Sequence, residues 1–464
     1  MCFCAIGWFN ADGSFILDKM FSTFEVLAFL ANRSAIRAAF FNSIWLVLDK
    51  ALRLVGGLFV GVWVARYLSP EGFGFFNTWV AFYGLILTLI GLGFDQVLLR
   101  YLVKYPSHEQ RLIGSVVGLR SMLAFLTLIL LSLVAFFSSF QTDIWIVIGL
   151  GTGLLFSPFL TLRQWFESRL ASKYVVMSEL GAFLLSATLK IVGVLYHLPV
   201  SWFVFVISIE SVLGIVGYAA IYYKQRRAGR LLFDWKLARL LFSQSCPVFM
   251  SCLAIFIYTK IDQIMILALS GSHEAGIYAA AARISEILYF LPAIIVTSVF
   301  PALTILRKTD MSKYMRQLGY LFSGGALMAY VISFIILLFA PMLVTGLYGV
   351  AYAAAIPVLF IHVFSFVWIT IGILSSVFIQ NEKLMRYALI RDYSAVFLNV
   401  GLNFFLIPYY GAMGAAVATF IAYSFTSVWG NLFFPKLRPL FYLQVRGLRL
   451  AGLGRGLLKL KAQL

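Results

Sequence analysis

The chain has 464 residues, of which 62% are hydrophobic and only 12% charged, and its formal net charge is +18. Soluble globular proteins are roughly half apolar and a quarter charged, so this composition excludes a soluble enzyme. The mean hydropathy of +0.95 and the length suit about twelve membrane spans of ~20 residues joined by short loops. We therefore predict an all-α integral membrane protein.

The N-terminal segment lacks the basic region, apolar core and small-residue cleavage site of a signal peptide. We predict a cytoplasmic extension over residues 1–41, with Met20 as an alternative start. The four cysteines have neither metal-ligand spacing nor a paired extracytoplasmic placement, so we expect no zinc and no disulfide. No Gly-rich phosphate loop precedes a Lys-Ser or Lys-Thr pair, so we expect no ATP-driven transport by this chain alone and no cofactor.

Apolar runs of about 20 residues predict twelve transmembrane helices. They lie near residues 44–66, 73–93, 113–137, 144–163, 174–195, 199–222, 244–269, 276–299, 319–340, 354–379, 387–407 and 411–434.

The Lys and Arg residues support this topology, because cytoplasmic loops carry an excess of them. Segments on one predicted side carry 28 Lys and Arg, the alternate loops carry none, and the remaining 8 lie inside the spans. Both termini are therefore predicted to be cytoplasmic. Because the basic residues fall in short loops, we interpret the net charge as a topology signal and expect no nucleic-acid partner.

The widest basic loop divides the chain into two predicted six-helix lobes, residues 42–223 and 241–434, joined by a basic linker over 224–240. Six spans is an even number, so the lobes share one orientation and form a parallel pseudo-repeat. The segment LSPEGFGFF from Leu68 is weakly echoed at the equivalent place by LSGSHEAGIY from Leu269. The tail over 435–464 mixes basic and apolar residues, which suits either an interfacial helix on anionic lipid or a basic topology anchor.

Fourteen ionisable residues lie inside the predicted spans, where each costs roughly 2.5–3.5 kcal/mol on insertion scales if it faces lipid. We therefore predict a shared polar interior between the lobes. The eight basic residues outnumber the six acidic ones, which favours an anionic ligand. The basic residues are Lys50, Arg53, Arg66, Arg120, Lys190, Lys260, Arg283 and Arg391, and the acidic ones are Asp49, Glu179, Glu210, Asp262, Glu286 and Asp392.

Spacing brings some of these charges to one helix face. Asp49 and Arg53 are four residues apart, and Arg283 and Glu286 three apart, so each pair can neutralise itself. Glu179 and Lys190 are eleven apart and also share a face. For each pair, a structural ion pair is the competing interpretation, and residues near span ends, such as Lys50, Arg66 and Arg391, can instead extend to the interface.

Only one histidine, His362, lies inside a predicted span. A packed, hydrogen-bonded histidine is more common at such a position than a proton relay. We therefore do not assign His362 to the site.

Three stretches carry a resemblance to a known family: WLVLDKALRLVGGLFVGVWVARYLSPEGFG from Trp45, YTKIDQIMILALSGSHEAGIYAAAARISE from Tyr258, and LIPYYGAMGAAVAT from Leu406. They resemble the Wzx-type polysaccharide and O-antigen flippases of the multidrug/oligosaccharidyl-lipid/polysaccharide (MOP) exporter superfamily. The resemblance covers about residues 42 to 434.

The resemblance implies a two-lobed transporter that moves undecaprenyl-diphosphate-linked sugar repeat units across the bacterial inner membrane by alternating access. Its partners would be that lipid-linked oligosaccharide, membrane lipid, and glycan polymerase and chain-length proteins. The family's basic cavity residues map onto Arg283, Lys50, Arg53 and Arg66.

Combining the resemblance with the charge pattern, we assign Arg283 and Lys260 to the pyrophosphate or an acidic sugar, and group Arg120 and Lys190 with the substrate-binding residues. Coupling or charge balance is assigned to the acidic residues Asp49, Asp262, Glu286, Glu179, Glu210 and Asp392.

Three alternatives stay open. A drug or cation antiporter of the same superfamily would favour acidic or aromatic cavity walls. Peptidoglycan-precursor flippases resemble proteins with fourteen spans, whereas twelve spans are predicted for this chain. A membrane glycan polymerase or ligase generally has a large external loop, which the predicted topology lacks.

Overall fold

A computed structural model describes residues 33–137, 144–225 and 230–450, and every regular element in these ranges is a helix. The predicted N-terminal extension before residue 33, residues 226–229 of the predicted linker, and the tail from residue 451 lie outside the described residues.

Fourteen α-helices lie in the described ranges. In chain order they are α1 (Arg33–Gly91), α2 (Phe94–Lys104), α3 (Glu109–Phe137), α4 (Ile144–Phe156), α5 (Leu162–Ser168), α6 (Ser172–Leu195), α7 (Val200–Gln225), α8 (Trp235–Glu286), α9 (Phe290–Thr309), α10 (Met311–Tyr348), α11 (Ala355–His362), α12 (Ser365–Asn381), α13 (Met385–Ser427) and α14 (Arg438–Leu448).

Three long helices contain a residue with a non-helical backbone. Ser69 breaks α1 (φ 58°, ψ 173°), Gly271 breaks α8 (φ 88°, ψ 176°) and Gly411 breaks α13 (φ 53°, ψ −131°). Glycine tolerates positive φ, and Pro70 after Ser69 has no N–H with which to continue the helical ladder. Each break lies in, or next to, a loop predicted between two spans.

Eight helices in the described ranges are long and apolar enough to cross a membrane, and the chain is a multi-pass membrane protein. Three of the eight contain one of the breaks at Ser69, Gly271 and Gly411, so one continuous helix can hold two predicted spans. The count of twelve and the cytoplasmic termini remain predictions.

Asp310, outside these spans, caps the start of α10. Its carboxylate accepts a hydrogen bond from the Lys313 backbone N–H at 2.9 Å. This bond is the main reason that the pKa of Asp310 is lowered from its ordinary value. The cap satisfies one of the N–H groups that a helix start leaves without an intrahelical partner.

The chain forms two compact units. Of the described residues, the N-unit comprises 33–68 together with those of Trp79–Leu253, and the C-unit comprises Ser69–Thr78 together with 254–450. These units are defined by the packing of the chain, whereas the predicted lobes over 42–223 and 241–434 were defined by the position of the widest basic loop. The lobe boundaries remain a prediction.

Each unit has its own apolar core. In the N-unit, Phe94, Phe166 and Tyr218 are fully buried and bring α2, α5 and α7 together. In the C-unit, α9, α10, α12 and α14 share a core that includes Phe322 and Phe441. Burial of such side chains is the main favourable contribution to packing inside each unit.

The described part of the tail packs on protein. In α14, Leu440, Phe441, Gln444 and Gly447 are buried, and Gln444 Nε2 donates to the Ser427 carbonyl at 2.7 Å. The two roles predicted for the tail, an interfacial helix and a topology anchor, did not include this contact. The apolar face of α14 packs on protein because it includes the amide of Gln444, a buried polar group that needs hydrogen-bond partners from the protein.

Candidate functional site

A chain of ion pairs in the N-unit joins α1, α5 and α6. Arg53 donates from Nε to Asp49 at 2.7 Å and from Nη2 to Glu179 Oε2 at 3.1 Å. Arg163 donates from Nε to Glu167 at 2.8 Å and from Nη1 to Glu179 Oε1 at 3.0 Å. The predicted pairing of Asp49 with Arg53 is confirmed, and Glu179 bridges two arginines from different helices.

Packing positions Glu179 and leaves both arginines accessible. A Cβ on Gly214 of α7 would lie 3.6 Å from Glu179 Cγ, so this glycine lets α7 pass close beside the carboxylate. The Glu179 side chain is 14% exposed, whereas those of Arg53 and Arg163 are 30% and 34% exposed. An anion can therefore reach the guanidinium groups more easily than the carboxylate they hold.

Lys190 pairs with Glu210 in the same unit. Lys190 Nζ lies 3.2 Å from Glu210 Oε2, which also accepts from Ser186 Oγ. The described ion pairs of Glu179 are with arginines instead. Glu179 and Lys190 share a face, but eleven residues of α-helix separate them by about 16 Å along the axis. A shared face was therefore not enough to make them partners.

Arg120 ties three elements of the N-unit together. Its side chain is 3% exposed, and it donates to Asp95 at 2.7 Å, to the Gly91 carbonyl at 3.0 Å and to Thr161 at 3.0 Å. These contacts hold the junction of α1 and α2, where Gly93 has a positive φ of 66°. The geometry favours a structural role for Arg120 over the substrate-binding role predicted for it.

The remaining predicted cations of the N-unit lie at its surface. Lys50 and Arg66 both have exposed side chains. Exposure at these positions agrees with the alternative that long basic side chains extend toward the interface.

In the C-unit, Lys260 and Glu286 form a close ion pair. Lys260 Nζ donates to both carboxylate oxygens of Glu286, at 2.9 and 2.8 Å, and the side chains are 31% and 29% exposed. Arg283 lies three residues before Glu286 in α8 and is half-buried. The described ion pair of Glu286 is thus with Lys260, which lies in the part of α8 before the break at Gly271. The pairing of Glu286 with Arg283 stays a prediction.

Asp262 lies in a buried polar cluster of the C-unit and is 1% exposed. Its carboxylate accepts hydrogen bonds from Tyr278 Oη at 2.8 Å, Asn403 Nδ2 at 2.6 Å and Thr419 Oγ1. Asn403 Nδ2 also lies 3.3 Å from Asn399 Oδ1. All of these donors are neutral, so they solvate the carboxylate without neutralising its charge.

Sequence reasoning missed the partners of Asp262. The usable signal was the spacing of Asn399 and Asn403, two amides four residues apart inside an apolar span, which must share a helix face. Polar side chains inside a membrane helix need a buried partner. Arg163 and Glu167 were missed as well, although their spacing of four residues is the same signal.

His362 is packed and hydrogen-bonded, as predicted. It is 1% exposed, its Nδ1 lies 2.6 Å from Ser285 Oγ, and its Nε2 lies 3.4 Å from Tyr278 Oη. The histidine thus supports Tyr278, which in turn contacts Asp262.

Arg391 and Asp392, near the start of α13, belong to a network that reaches the end of the same helix and the residues after it. Arg391 donates to Asp392 at 2.9 Å and to Asn431 at 2.8 Å, and Thr426 donates to Asp392 at 2.7 Å. Asn431 in turn donates to Gln444 of α14 at 2.9 Å. The geometry supports a role for this pair in holding the tail helix.

Comparison with known proteins gives a family and a fold. Residues 40–307 match the family described as "Polysaccharide biosynthesis protein". No match to the chain is found among curated proteins.

Among solved structures, the chain is similar to the lipid II flippase MurJ in an inward closed conformation. The identity is 15%, the TM-score 0.68, and the match covers 88% of this chain and 91% of that one. An inward-facing multidrug resistance MATE transporter of the MOP superfamily matches at 15% identity and a TM-score of 0.61, over 87% of this chain and 98% of that one.

A MOP superfamily transporter from Pyrococcus furiosus matches at 15% identity and a TM-score of 0.58, over 89% of this chain and 96% of that one. At these identities the likeness establishes the fold, which is that of MOP superfamily transporters.

Proposed function

Because the chain belongs to the polysaccharide biosynthesis protein family, we propose that it is a flippase for undecaprenyl-diphosphate-linked oligosaccharide repeat units. It moves them across the bacterial inner membrane by alternating access, as a secondary transporter, for O-antigen, capsule or exopolysaccharide synthesis. The similarity in fold to a protein described as a lipid II flippase supports a lipid-linked substrate.

The observation that carries this proposal is the half-exposed ion pair of Lys260 with Glu286, next to Arg283 in an apolar helix. A diphosphate cannot cross hydrocarbon unpaired, because burying a charge without a partner costs many kcal/mol. Charge-assisted hydrogen bonds from Lys and Arg can take over the role of water. Glu286 would then keep Lys260 neutralised when no substrate is bound.

We assign the residues distinct roles. Arg283 and Lys260 bind the pyrophosphate or an acidic sugar, with Arg53, Lys50 and Arg66 as further cations on its path. Asp262 serves coupling, because a buried carboxylate among neutral donors can bind a proton or a monovalent cation.

A multidrug exporter is the second candidate, since MATE transporters share the fold. The eight basic and six acidic residues inside the predicted spans favour an anionic substrate over a cationic drug.

The proposal predicts that Arg283→Ala abolishes export of the lipid-linked glycan while the protein still inserts in the membrane. The reason is the loss of a guanidinium that would bind the head group. Surface glycan and membrane-fraction protein are measured in a strain that depends on this chain.

The matched control is Arg316→Ala, which removes a guanidinium from an exposed position of α10. We expect normal export from the control. Normal surface glycan in the Arg283→Ala strain would exclude Arg283 from the binding site.

A further inference from the structure

We infer that Arg53 and Arg163 form a binding site for one phosphate group in the N-unit, and that Glu179 occupies this site until substrate displaces it. The inference rests on the proposed function and adds Arg163, a residue outside the predicted site. The ligand is the phosphate end of a prenyl diphosphate.

The first argument is the way in which Glu179 is held. Its Oε1 accepts from Arg163 and its Oε2 from Arg53, at 3.0 and 3.1 Å. Two guanidinium groups therefore bracket one two-oxygen anion. Guanidinium forks match phosphate as well as carboxylate, so a phosphate can take the place of the Glu179 carboxylate with the same contacts.

The second argument is that each arginine is oriented without Glu179. Arg53 directs Nε to Asp49 at 2.7 Å, and Arg163 directs Nε to Glu167 at 2.8 Å, each partner being four residues away on the same helix. The Nη atoms therefore keep their positions when Glu179 leaves. Such preorganisation reduces the entropy cost of binding.

The third argument is charge. The five residues of the cluster carry two positive and three negative charges, so the displacement of Glu179 leaves two positive and two negative charges around the incoming phosphate. Glu179 thus competes with the phosphate for the two arginines. Removal of the Glu179 charge is therefore expected to strengthen phosphate binding.

The fourth argument is position along the predicted spans. Arg163 lies at the boundary between the predicted fourth span and the cytoplasmic segment with which it is counted, and Glu179 lies five residues after the predicted start of the fifth span. In the predicted topology both lie toward the cytoplasmic side. A lipid diphosphate in the cytoplasmic leaflet would meet this site at the depth of its own head group.

The experiment measures binding of farnesyl diphosphate, with farnesyl monophosphate and inorganic pyrophosphate for comparison, to the purified full chain in nanodiscs. We expect Arg163→Gln to weaken farnesyl diphosphate binding about tenfold or more, as for one lost charge-assisted hydrogen bond. We expect Glu179→Gln to strengthen it severalfold, a gain that misfolding cannot produce. Arg163→Lys keeps the charge but not the fork and should be intermediate.

The matched control is Arg169→Gln. Arg169 belongs to the same unit, pairs with Glu109 at 3.0 Å and is 51% exposed. We expect this variant to bind like the wild type.

Wild-type affinity in Arg163→Gln, or weaker binding in Glu179→Gln, would overturn the inference and leave the proposed function intact. If the wild-type protein does not bind farnesyl diphosphate at all, both the inference and the proposed function fail.

Discussion

At the scale of single residues, Asp262 has the most demanding environment. A charged group inside the membrane costs roughly 2.5–3.5 kcal/mol on insertion scales. Tyr278, Asn403 and Thr419 offset part of this cost by donating hydrogen bonds to the carboxylate. A bound proton or monovalent cation would remove the uncompensated charge, which explains why such a residue suits coupling.

Asp262→Asn is expected to fold but to lose ion-dependent transport. The Asn403 Oδ1 atom has no hydrogen-bond partner among the described residues, so rotation of the Asn403 amide can present an acceptor to the new NH₂ group. Uptake of a fluorescent lipid-linked diphosphate by proteoliposomes is measured under imposed pH and sodium gradients. The wild type should respond to one gradient and the variant to neither.

Asp310→Asn is the control for this substitution, because Asn is as good an N-cap as Asp and Asp310 lies outside the membrane-spanning helices. A gradient response in the Asp262 variant equal to that of the control would exclude Asp262 from coupling.

At the scale of elements, the breaks in α1 and α8 are related. Ser69 and Gly271 have closely similar ψ values of 173° and 176°, with positive φ in both. Five residues after each break is a glycine. A Cβ on Gly74 would overlap the Ser272 carbonyl oxygen, and a Cβ on Gly276 would overlap the Pro70 carbonyl oxygen.

This reciprocal contact lies within the C-unit. It supports the interpretation that the two echoed segments, from Leu68 and from Leu269, arose by duplication. It also shifts the echo by one residue, because the structure aligns Ser69 with Gly271. The third stretch of the family resemblance joins the same region, since the Ala412 N–H donates to Glu274 at 2.8 Å. The second stretch that carries the resemblance is thus in direct contact with both the first and the third.

Gly276→Ala is expected to destabilise the protein by about 1–3 kcal/mol, a typical cost of overpacking. The added methyl group would meet backbone atoms, which cannot move aside as a side chain can. The midpoint of thermal unfolding in detergent reports the effect.

Gly324→Ala is the control, because a Cβ at Gly324 has nothing within 4 Å. In an open helix position alanine normally stabilises by up to ~1 kcal/mol relative to glycine. Equal unfolding midpoints for the two variants would show that the close approach of Gly276 to the Pro70 backbone does not affect stability.

At the scale of the whole molecule, the distribution of Lys and Arg predicts the topology. All 28 basic residues outside the predicted spans fall on one predicted side. A different number of crossings between any two of these segments would destroy the alternation. The eight long apolar helices, three of them broken, account for eleven of the predicted spans, and the predicted fourth span falls on the shorter α4, which is not among the eight. They do not determine the side on which the ends lie.

Reporter fusions after Leu240 and Leu464 are expected to score cytoplasmic, and a fusion after Gly349 to score periplasmic. The first two positions follow basic segments, and the third lies in a predicted outer loop without Lys or Arg. Alkaline phosphatase and green fluorescent protein fusions give opposite readouts and so check each other. A periplasmic score after Leu240 or Leu464 would overturn the predicted twelve-span topology.

The sequence by itself determined the class of protein, the helical fold, the family and the local pair of Asp49 with Arg53. These properties follow from composition, from hydropathy along the chain and from spacing within one helix, all of which are local. The ends of the predicted spans also lie close to the breaks at Ser69, Gly271 and Gly411, although the sequence did not predict that a helix continues on both sides of each break.

Only the tertiary structure decided which charges are partners. Glu179 binds Arg53 and Arg163, and Lys260 binds Glu286, across sequence separations from 16 to 126 residues. The buried setting of Asp262 and the packing of α14 were likewise beyond the sequence. Helical periodicity predicts the side of a helix on which a residue lies, but it does not predict which second helix packs against that side. The partner of a charged residue depends on that second helix.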